Sequence, residues 1–455
     1  MKKLMYILIL LIPISAFSQE SRYHSSPSAK AWKYAGNEGF SSHLPGYVSL
    51  VFSPSGEPFV AFAEPYVSVM KFNGTTWVYV GLPLFSGAVA SSVSLAFSPS
   101  GEPYVAFSDG ITSNASVMRF DGSSWVYVGP RGFTTGGSAY LSLAFSQDGK
   151  PFVAFQDGAV FGFPASVMKF NGTSWIYVGN AGFSAATVYF TSLVFDPSGT
   201  PFVVFRDDGF TGKAVVMKFD GSSWVYVGNP GFTPEYVWYT SLALSQSGEP
   251  YVAYMDGNSF QSSVMKFDGT DWVYVGSPLF SPASALYLSL AVNPAGEPCV
   301  GFEDEANGYK ASVMKFDGTG WNFVGAPGFS ADTAKYTSLA FSPTGSPYVA
   351  YSDHSALHSA ASVQKYDSVY VNGGESAPKP GCFIYPNPAN EQVTISVRDP
   401  GVKYIDLYNL MGEKVYAIQT TDMKITMDVQ LLPHGIYIVE VATNHSTFMA
   451  KFCWE

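Results

Sequence analysis

The chain predicts an all-β protein, a seven-bladed β-propeller of four-stranded blades followed by a small Ig-like β-sandwich. Tryptophan recurs at Trp77, Trp125, Trp175, Trp224, Trp272 and Trp321, with gaps of 48, 50, 49, 48 and 49 residues. Each stands in one recurring phrase, such as Ser116-Val117-Met118-Arg119-Phe120-Asp121-Gly122-Ser123-Ser124-Trp125-Val126-Tyr127-Val128-Gly129. A period near fifty built from short strands and tight turns is the sequence signature of a propeller. Composition agrees: 47% of the 455 residues are hydrophobic and 16% aromatic, while only 13% are charged. That balance suits β-structure rather than disorder or helix bundles.

Each repeat holds four strand-like runs, a to d. In the second repeat they cover residues 93–97, 103–107, 116–120 and 125–128, separated by Ser-Pro-Ser-Gly and Asp-Gly turns. Val, Phe, Tyr and Ala fill the runs, and Asp-Gly between c and d is a strong hairpin signal. No stretch of useful length carries a helical apolar period. Run a opens at Tyr47, Val93, Tyr140, Phe190, Tyr239, Tyr287 and Tyr336, which makes seven blades. Complete d runs follow only six of them. The seventh repeat decays after residues 363–366, with 369–371 as a relic, while an orphan d-like phrase, Trp32-Lys33-Tyr34-Ala35-Gly36, precedes the first repeat. This N-terminal strand is expected to complete the last blade, because closure removes exposed sheet edges.

Four segments follow. Residues 1–18 read as a signal peptide, with Lys2 and Lys3 before an apolar stretch at 4–14 and the small-x-small site Ala16-Phe17-Ser18. The apolar stretch is too short to span a bilayer, and no later transmembrane candidate occurs. Residues 19–371 form the propeller. Residues 372–381, Asn-Gly-Gly-Glu-Ser-Ala-Pro-Lys-Pro-Gly, are a linker by composition. Residues 382–455 alternate apolar and polar positions in short runs, as in 393–397, 404–408 and 436–441, and read as the sandwich. Of the three cysteines, Cys299 stands where other repeats have Phe or Tyr and reads as a buried apolar residue. Pairing of Cys382 with Cys453 stays open.

The last segment carries Tyr385-Pro386-Asn387-Pro388-Ala389, then Leu407-Tyr408-Asn409-Leu410-Met411-Gly412, then Leu431-Leu432-Pro433-His434-Gly435-Ile436-Tyr437-Ile438-Val439. In order, spacing and terminal position it resembles the C-terminal sorting domain of type IX (Por) secretion substrates. The resemblance covers about the last seventy-five residues. It departs at the end, where Lys451-Phe452-Cys453-Trp454-Glu455 replaces a Lys-rich strand. It implies the type IX machinery as a partner and export across the outer membrane of a Bacteroidota-type bacterium. It also implies removal of the tail, with the cargo released or attached to surface lipopolysaccharide. The repeats match no defined functional family. The Gly-Gly pair of kelch and the Gly-His and Trp-Asp signatures of WD40 are missing, and Asp121-Gly122-Ser123-Ser124-Trp125 lacks one residue of a sialidase Asp-box.

Function is narrowed mainly by exclusion. A net charge of −11 argues against nucleic acid and against docking on anionic lipid. No Gly-x-Ser-x-Gly elbow, P-loop, His-Glu-x-x-His or clustered Cys/His site occurs. His354 and His358 are four apart in a predicted loop, so helical metal spacing does not apply. The a–b and c–d turns hardly vary between repeats, whereas the d–a and b–c connections do. In an up-and-down blade the variable connections share one rim, and loops on a rigid scaffold are where binding usually lives.

Three columns of residues stand out there. A carboxylate closes run b in every blade: Glu64, Asp109, Asp157, Asp207, Asp256, Asp304 and Asp353. Such oxygens suit sugar hydroxyls or Ca²⁺, and equally suit capping of their own turns. An aromatic precedes run a in six blades, at Tyr47, Tyr140, Phe190, Tyr239, Tyr287 and Tyr336, with Ser92 as the exception. A second aromatic series, Phe40, Phe85, Phe133, Phe183, Phe232, Phe280 and Phe329, precedes it. Aromatics beside carboxylates suit carbohydrate, and also suit packing between blades. Singular residues that break the repeat are Arg206, Glu235, Trp238, Glu303 and Glu305. The Trp and Met columns are expected to pack between sheets. The run-c cations, Lys71 to Lys365, are expected to be solvated or paired with Asp. The expected role is non-catalytic binding of a glycan or an extracellular protein at or outside the cell surface, with no resident metal or other cofactor. The alternatives are a propeller enzyme acting on extracellular glycans and a structural surface or adhesion component.

Overall fold

The computed structural model describes residues 30–355, 359–368, 382–385, 392–397, 401–409, 412–430, 432–443 and 447–454. The segments expected to be signal peptide and linker lie outside these residues, as do the relic run 369–371 and His358. Contacts divide the chain at position 371 into two units.

The first unit is seven four-stranded antiparallel sheets. Blade 2 consists of strands a (Ala90–Phe97), b (Pro103–Asp109), c (Ala115–Phe120) and d (Trp125–Tyr127). Strand b is buried throughout in blade 2, as expected of a strand covered on both faces. From blade 2 onward, strand a starts two or three residues earlier than the sequence suggests, at Ala90, Ser138, Val188, Val237, Ala285 and Ala334. The cause is a bulge in each of these strands, between Ala139 and Ser142 in blade 3 for example. The aromatic expected before run a therefore lies inside the strand, with φ of 53° at Tyr140, 55° at Phe190, 51° at Tyr239 and Tyr287, and 54° at Tyr336. A left-handed residue at a bulge breaks the alternation of the strand and re-aims its side chain.

Adjacent blades are joined by three contacts that recur in all seven positions. First, each indole Nε1 donates to a carbonyl of the preceding blade, as in Trp125 to Val80 O at 2.7 Å and Trp224 to Val178 O at 2.7 Å. Second, the same indole stacks on the Phe that follows the preceding blade, with 4.4 Å and 9° for Phe85–Trp125 and 4.0 Å and 9° for Phe280–Trp321. The Phe series is thus packing between blades. Third, a Ser of strand a accepts from the Leu amide of the next strand a, as in Ser49 Oγ from Leu95 N at 3.0 Å. This series runs on through Ser94, Ser142, Ser192, Ser241 and Ser289. It returns from Ser338 to Leu50 N at 2.9 Å. A glycine after strand d makes room for the next blade: a Cβ at Gly276 would lie 2.6 Å from the Phe316 ring.

The seventh sheet has the strand order Lys30–Tyr34, Ala360–Ser368, Pro347–Asp353, Ala334–Phe341. Its outer strand therefore comes from the start of the chain, with Trp32 opposite Tyr366. Trp32 repeats the contacts of the other indoles, donating to Val324 O at 2.6 Å and stacking on Phe329 at 3.9 Å.

Two details differ from expectation. The b–c connections of blades 4 and 6 each form one 3-10 turn, Asp208–Phe210 and Glu305–Asn307. Where run-c cations pair, the partner is a Glu of the a–b turn in four blades: Lys71–Glu57, Arg119–Glu102, Lys266–Glu249 and Lys315–Glu297. Lys365 pairs with Asp367.

The second unit holds a three-stranded sheet (Cys382–Tyr385, Gln392–Val397, Lys424–Asp428) and a four-stranded one (Lys414–Thr420, Lys403–Tyr408, Gly435–Thr443, Thr447–Trp454). Val393 and Ile395 of the first share one core with Ile405, Leu407, Val439 and Val441 of the second. Cys299 is buried without a disulfide. The side chains of Cys382 and Cys453 lie outside the described residues.

Candidate functional site at the variable rim

The b–c and d–a connections meet on one rim and bond to each other. Gly158 N donates to Gly137 O, Asp208 N to Thr187 O, Gly257 N to Tyr236 O and His354 N to Thr333 O, all between 2.8 and 3.0 Å. Surface apolar residues gather in these connections, including Leu82, Ile111, Phe161 and Phe163.

The seven carboxylates of the rim are all buried, with Asp109, Asp157, Asp207, Asp304 and Asp353 at 0% exposure. Each is engaged locally. Asp109 accepts from Ile111 N and from the Arg131 guanidinium at 2.5 and 3.1 Å. Burial alone would raise its pKa, but Arg131 and the Ile111 amide outweigh it and hold the carboxyl below the usual range. Asp157 accepts from Ala159 N, Ser166 Oγ and Tyr177 OH. Asp207 accepts from three amides, Gly209, Ala185 and Ala186. Burial nevertheless leaves it above the usual range. Asp256 caps Asn258 and Ser259, and Asp353 caps Ser355 and binds Ser362 Oγ. Asp304 binds Ser312 and Asn307, and Glu64 accepts from His43 N. Among the described residues no three His, Cys, Asp or Glu side chains converge on a cation site.

The aromatic column does converge. Tyr47, Ser92, Tyr140, Phe190, Tyr239, Tyr287 and Tyr336, one residue per blade, line a single axial cavity of about 220 Å³. Ring centroids step round it at 5.2 Å (Tyr47–Tyr336), 4.7 Å (Tyr336–Tyr287), 5.0 Å (Tyr287–Tyr239), 5.2 Å (Tyr239–Phe190) and 5.0 Å (Phe190–Tyr140). Ser92 leaves a gap in the girdle. Thr191 and Thr337 hydroxyls hold the girdle carbonyls of Tyr140 and Tyr287.

Two singular residues flank the girdle at the next-to-last position of strand b. Arg206 lies 4.5 Å from the Trp238 ring and 5.0 Å from Tyr189, and bonds Asp208 at 3.2 Å. Its Nε is buried without a partner. Glu303 is 2% exposed. Burial pushes its carboxyl up to about 7, partly offset by Lys335. Its charge reaches Tyr239 and Tyr287. Trp238 thus belongs to a cation–π cluster with Arg206, a pairing hidden in the sequence because 32 positions separate them. Glu235 is exposed, and Glu305 binds Ser284 N and Tyr309 OH.

Residues 383–455 match the family model of the secretion system C-terminal sorting domain. This domain marks the chain for handling by the type IX machinery and for export to the cell surface or secretion. No helix among the described residues is long and apolar enough to cross a membrane. No curated protein matches the sequence. Among solved structures, the chain is similar to PorZ, an essential bacterial surface component of the type IX secretion system of Porphyromonas gingivalis. That match has 13% identity and a TM-score of 0.46, and covers 90% of this chain and 59% of that one. The chain thus spans well under two thirds of PorZ. It is also similar to a polysaccharide lyase of family PL25, an ulvan lyase (12% identity, 75% and 96% covered, TM-score 0.49). A third similar structure is the SapL1 lectin in complex with α-methyl fucoside (14% identity, 64% and 99% covered, TM-score 0.45). At these identities and scores, none of the three says what this chain binds.

Proposed function

We propose that the protein is an exported, non-catalytic binding propeller that takes a glycan or an extracellular protein at its variable rim. In this reading residues 1–18 deliver the chain to the periplasm, the tail carries it across the outer membrane, and Lys30–Tyr34 is the strand that closes the ring. One observation carries the binding assignment: six aromatic side chains from six blades converge on a single axial cavity of about 220 Å³. Aromatic faces stack on apolar sugar or side-chain surfaces, while Tyr hydroxyls exchange hydrogen bonds with polar edges. The cavity is small, so it suits one protruding group rather than a buried ligand. A screen of the full chain against arrayed glycans and surface proteins tests this. Tyr239→Ala and Tyr336→Ala are expected to weaken the captured ligand at least tenfold. Binding unchanged in both variants would reject the axial site.

A second reading, an enzyme acting on extracellular glycans, has Glu303 in its favour. A buried carboxyl with a pKa near 7 holds and releases a proton close to neutrality. Turnover abolished in Glu303→Gln with binding retained would favour this reading over the first.

A further inference from the structure

The opposite rim, made of the uniform a–b and c–d hairpins, holds larger cavities, and they repeat. One of about 430 Å³ lies between blades 1 and 2, one of about 310 Å³ between blades 2 and 3, and one of about 330 Å³ between blades 4 and 5. All three fall within the range of about 300–1,000 Å³ typical of small-ligand sites, and the axial cavity does not. Their walls come from the same columns. A half-buried Phe of strand c in the following blade recurs as Phe120, Phe170 and Phe267. The run-c cation of the preceding blade recurs as Lys71, Arg119 and Lys218.

The Lys71–Glu57 pair spans 3.3 Å with both side chains about two-fifths exposed. Arg119–Glu102 is similar at 3.0 Å. Such pairs contribute little to stability, yet the arrangement recurs in the Lys266–Glu249 and Lys315–Glu297 pairs. In the cleft between blades 4 and 5, where strand c contributes Lys218, the acids at the wall are Glu249 and Asp268 of the following blade. The cleft walls thus combine an apolar floor with charged groups of both signs nearby: Lys71 beside Glu57, Arg119 beside Glu102 with the Lys150–Asp148 pair of the following blade, and Lys218 with Glu249 and Asp268 on the same wall. A pyranose ring presents the complement: apolar faces, and an edge of hydroxyls that both donate and accept.

We propose that these inter-blade clefts are repeated sites for single uncharged sugar residues of a polysaccharide, engaged several at a time. Between blades 1 and 2 an anionic sugar would meet Glu57 and a cationic one Lys71, and between blades 2 and 3 Arg119 and Lys150 are each neutralised by an acid partner, so the lips select a neutral unit. Several weak equivalent sites on one rigid ring add through effective concentration. Blade 6 carries an internal contrast, because Cys299 replaces the strand-b aromatic that stands beneath the cation as Phe59, Tyr104 or Phe202 elsewhere.

The test uses the full chain against immobilised mannan, laminarin and xylan as neutral probes, with alginate and heparin as anionic ones. At least one neutral polymer is expected to bind, with an affinity that changes less than twofold between 50 and 500 mM NaCl, because exposed charges are largely screened at the higher salt. The triple variant Glu57→Ala/Glu102→Ala/Glu249→Ala is expected to lower it at least tenfold. The triple variant Lys71→Ala/Arg119→Ala/Lys218→Ala, on the same exposed surface, should do likewise. The same tenfold losses are expected when either triple variant is made in a Tyr239→Ala background, which separates this site from the axial one. Binding of the anionic polymers alone, capture of no neutral polymer, or loss only with the Tyr variant would overturn the proposal.

Discussion

The two rims are built by one repeat yet obey different rules. On the uniform rim Ser-Pro-Ser-Gly and Asp-Gly turns recur nearly unchanged, and the contacts recur with them. Asp121, Asp220 and Asp317 each accept amides two and three positions on, at 2.8 to 3.0 Å. Those bonds, with a hydroxyl of the same turn that leads at Asp317, hold all three carboxyls down at about 2. On the variable rim the carboxylate column keeps the amide two positions on in five blades, but its remaining partners change from blade to blade. Asp109 meets a guanidinium, Asp157 a Ser and a Tyr, and Asp207 three amides. Repetition preserves a local bond whose partners lie within the same turn. It does not preserve a bond whose partner sits in a neighbouring loop of different length.

The largest expected effect tests sameness. Trp125→Ala and Trp224→Ala should each cost about 3–5 kcal/mol in denaturant unfolding, and nearly equally, since both lose the same stack and carbonyl bond. Costs differing severalfold would mean that the blades are not equivalent.

Next in size, Arg131→Ala should cost about 2–4 kcal/mol by leaving the Asp109 carboxylate buried and unpaired. Because the Asp109 pKa is lowered on folding, its stabilising contribution is present above the unfolded carboxylate range and is lost as pH falls through the folded value. The variant should flatten the acid limb of a melting profile; an unchanged limb would contradict the pairing.

Glu303→Gln works in the opposite direction, by about 3 kcal/mol. Its pKa is raised from 4.5 to about 7 by burial, which outweighs the opposing charge of Lys335. The protonated form is therefore the stable one in the fold. Its contribution is complete below about 4.5 and is lost as pH rises through about 7. The variant should melt higher than the parent at pH 8 and equally at pH 4.

The smallest effect belongs to the uniform rim. Lys315→Ala should change stability by about 1 kcal/mol or less, since its Glu297 partner is about one-third exposed. A larger loss, measured by thermal melting, would give the repeated lip pairs a structural role and weaken the case for a ligand there.

Much of the fold was legible. A Trp at fixed steps has no partner within its own short strand, so its period announces a stack of sheets. Trp32 was legible as a strand-d residue because it carries the same phrase as the others. Less could be read of the site. The Ser–Leu series is hidden because Ser in a strand looks like solvent-side filler, and only the neighbouring blade supplies its amide partner. The aromatics before run a were found, but their direction depends on a bulge whose left-handed φ no residue type there advertises. The rim carboxylates share one column in the sequence, yet all turn inward.

By itself the sequence determined the repeat, the number of blades and the presence of an export tail, because each rests on local phrases read in order. Only the tertiary structure decided which residues share a cavity. A cleft or a girdle is made of surfaces from different blades, and residues some fifty positions apart become neighbours only once the sheets stack.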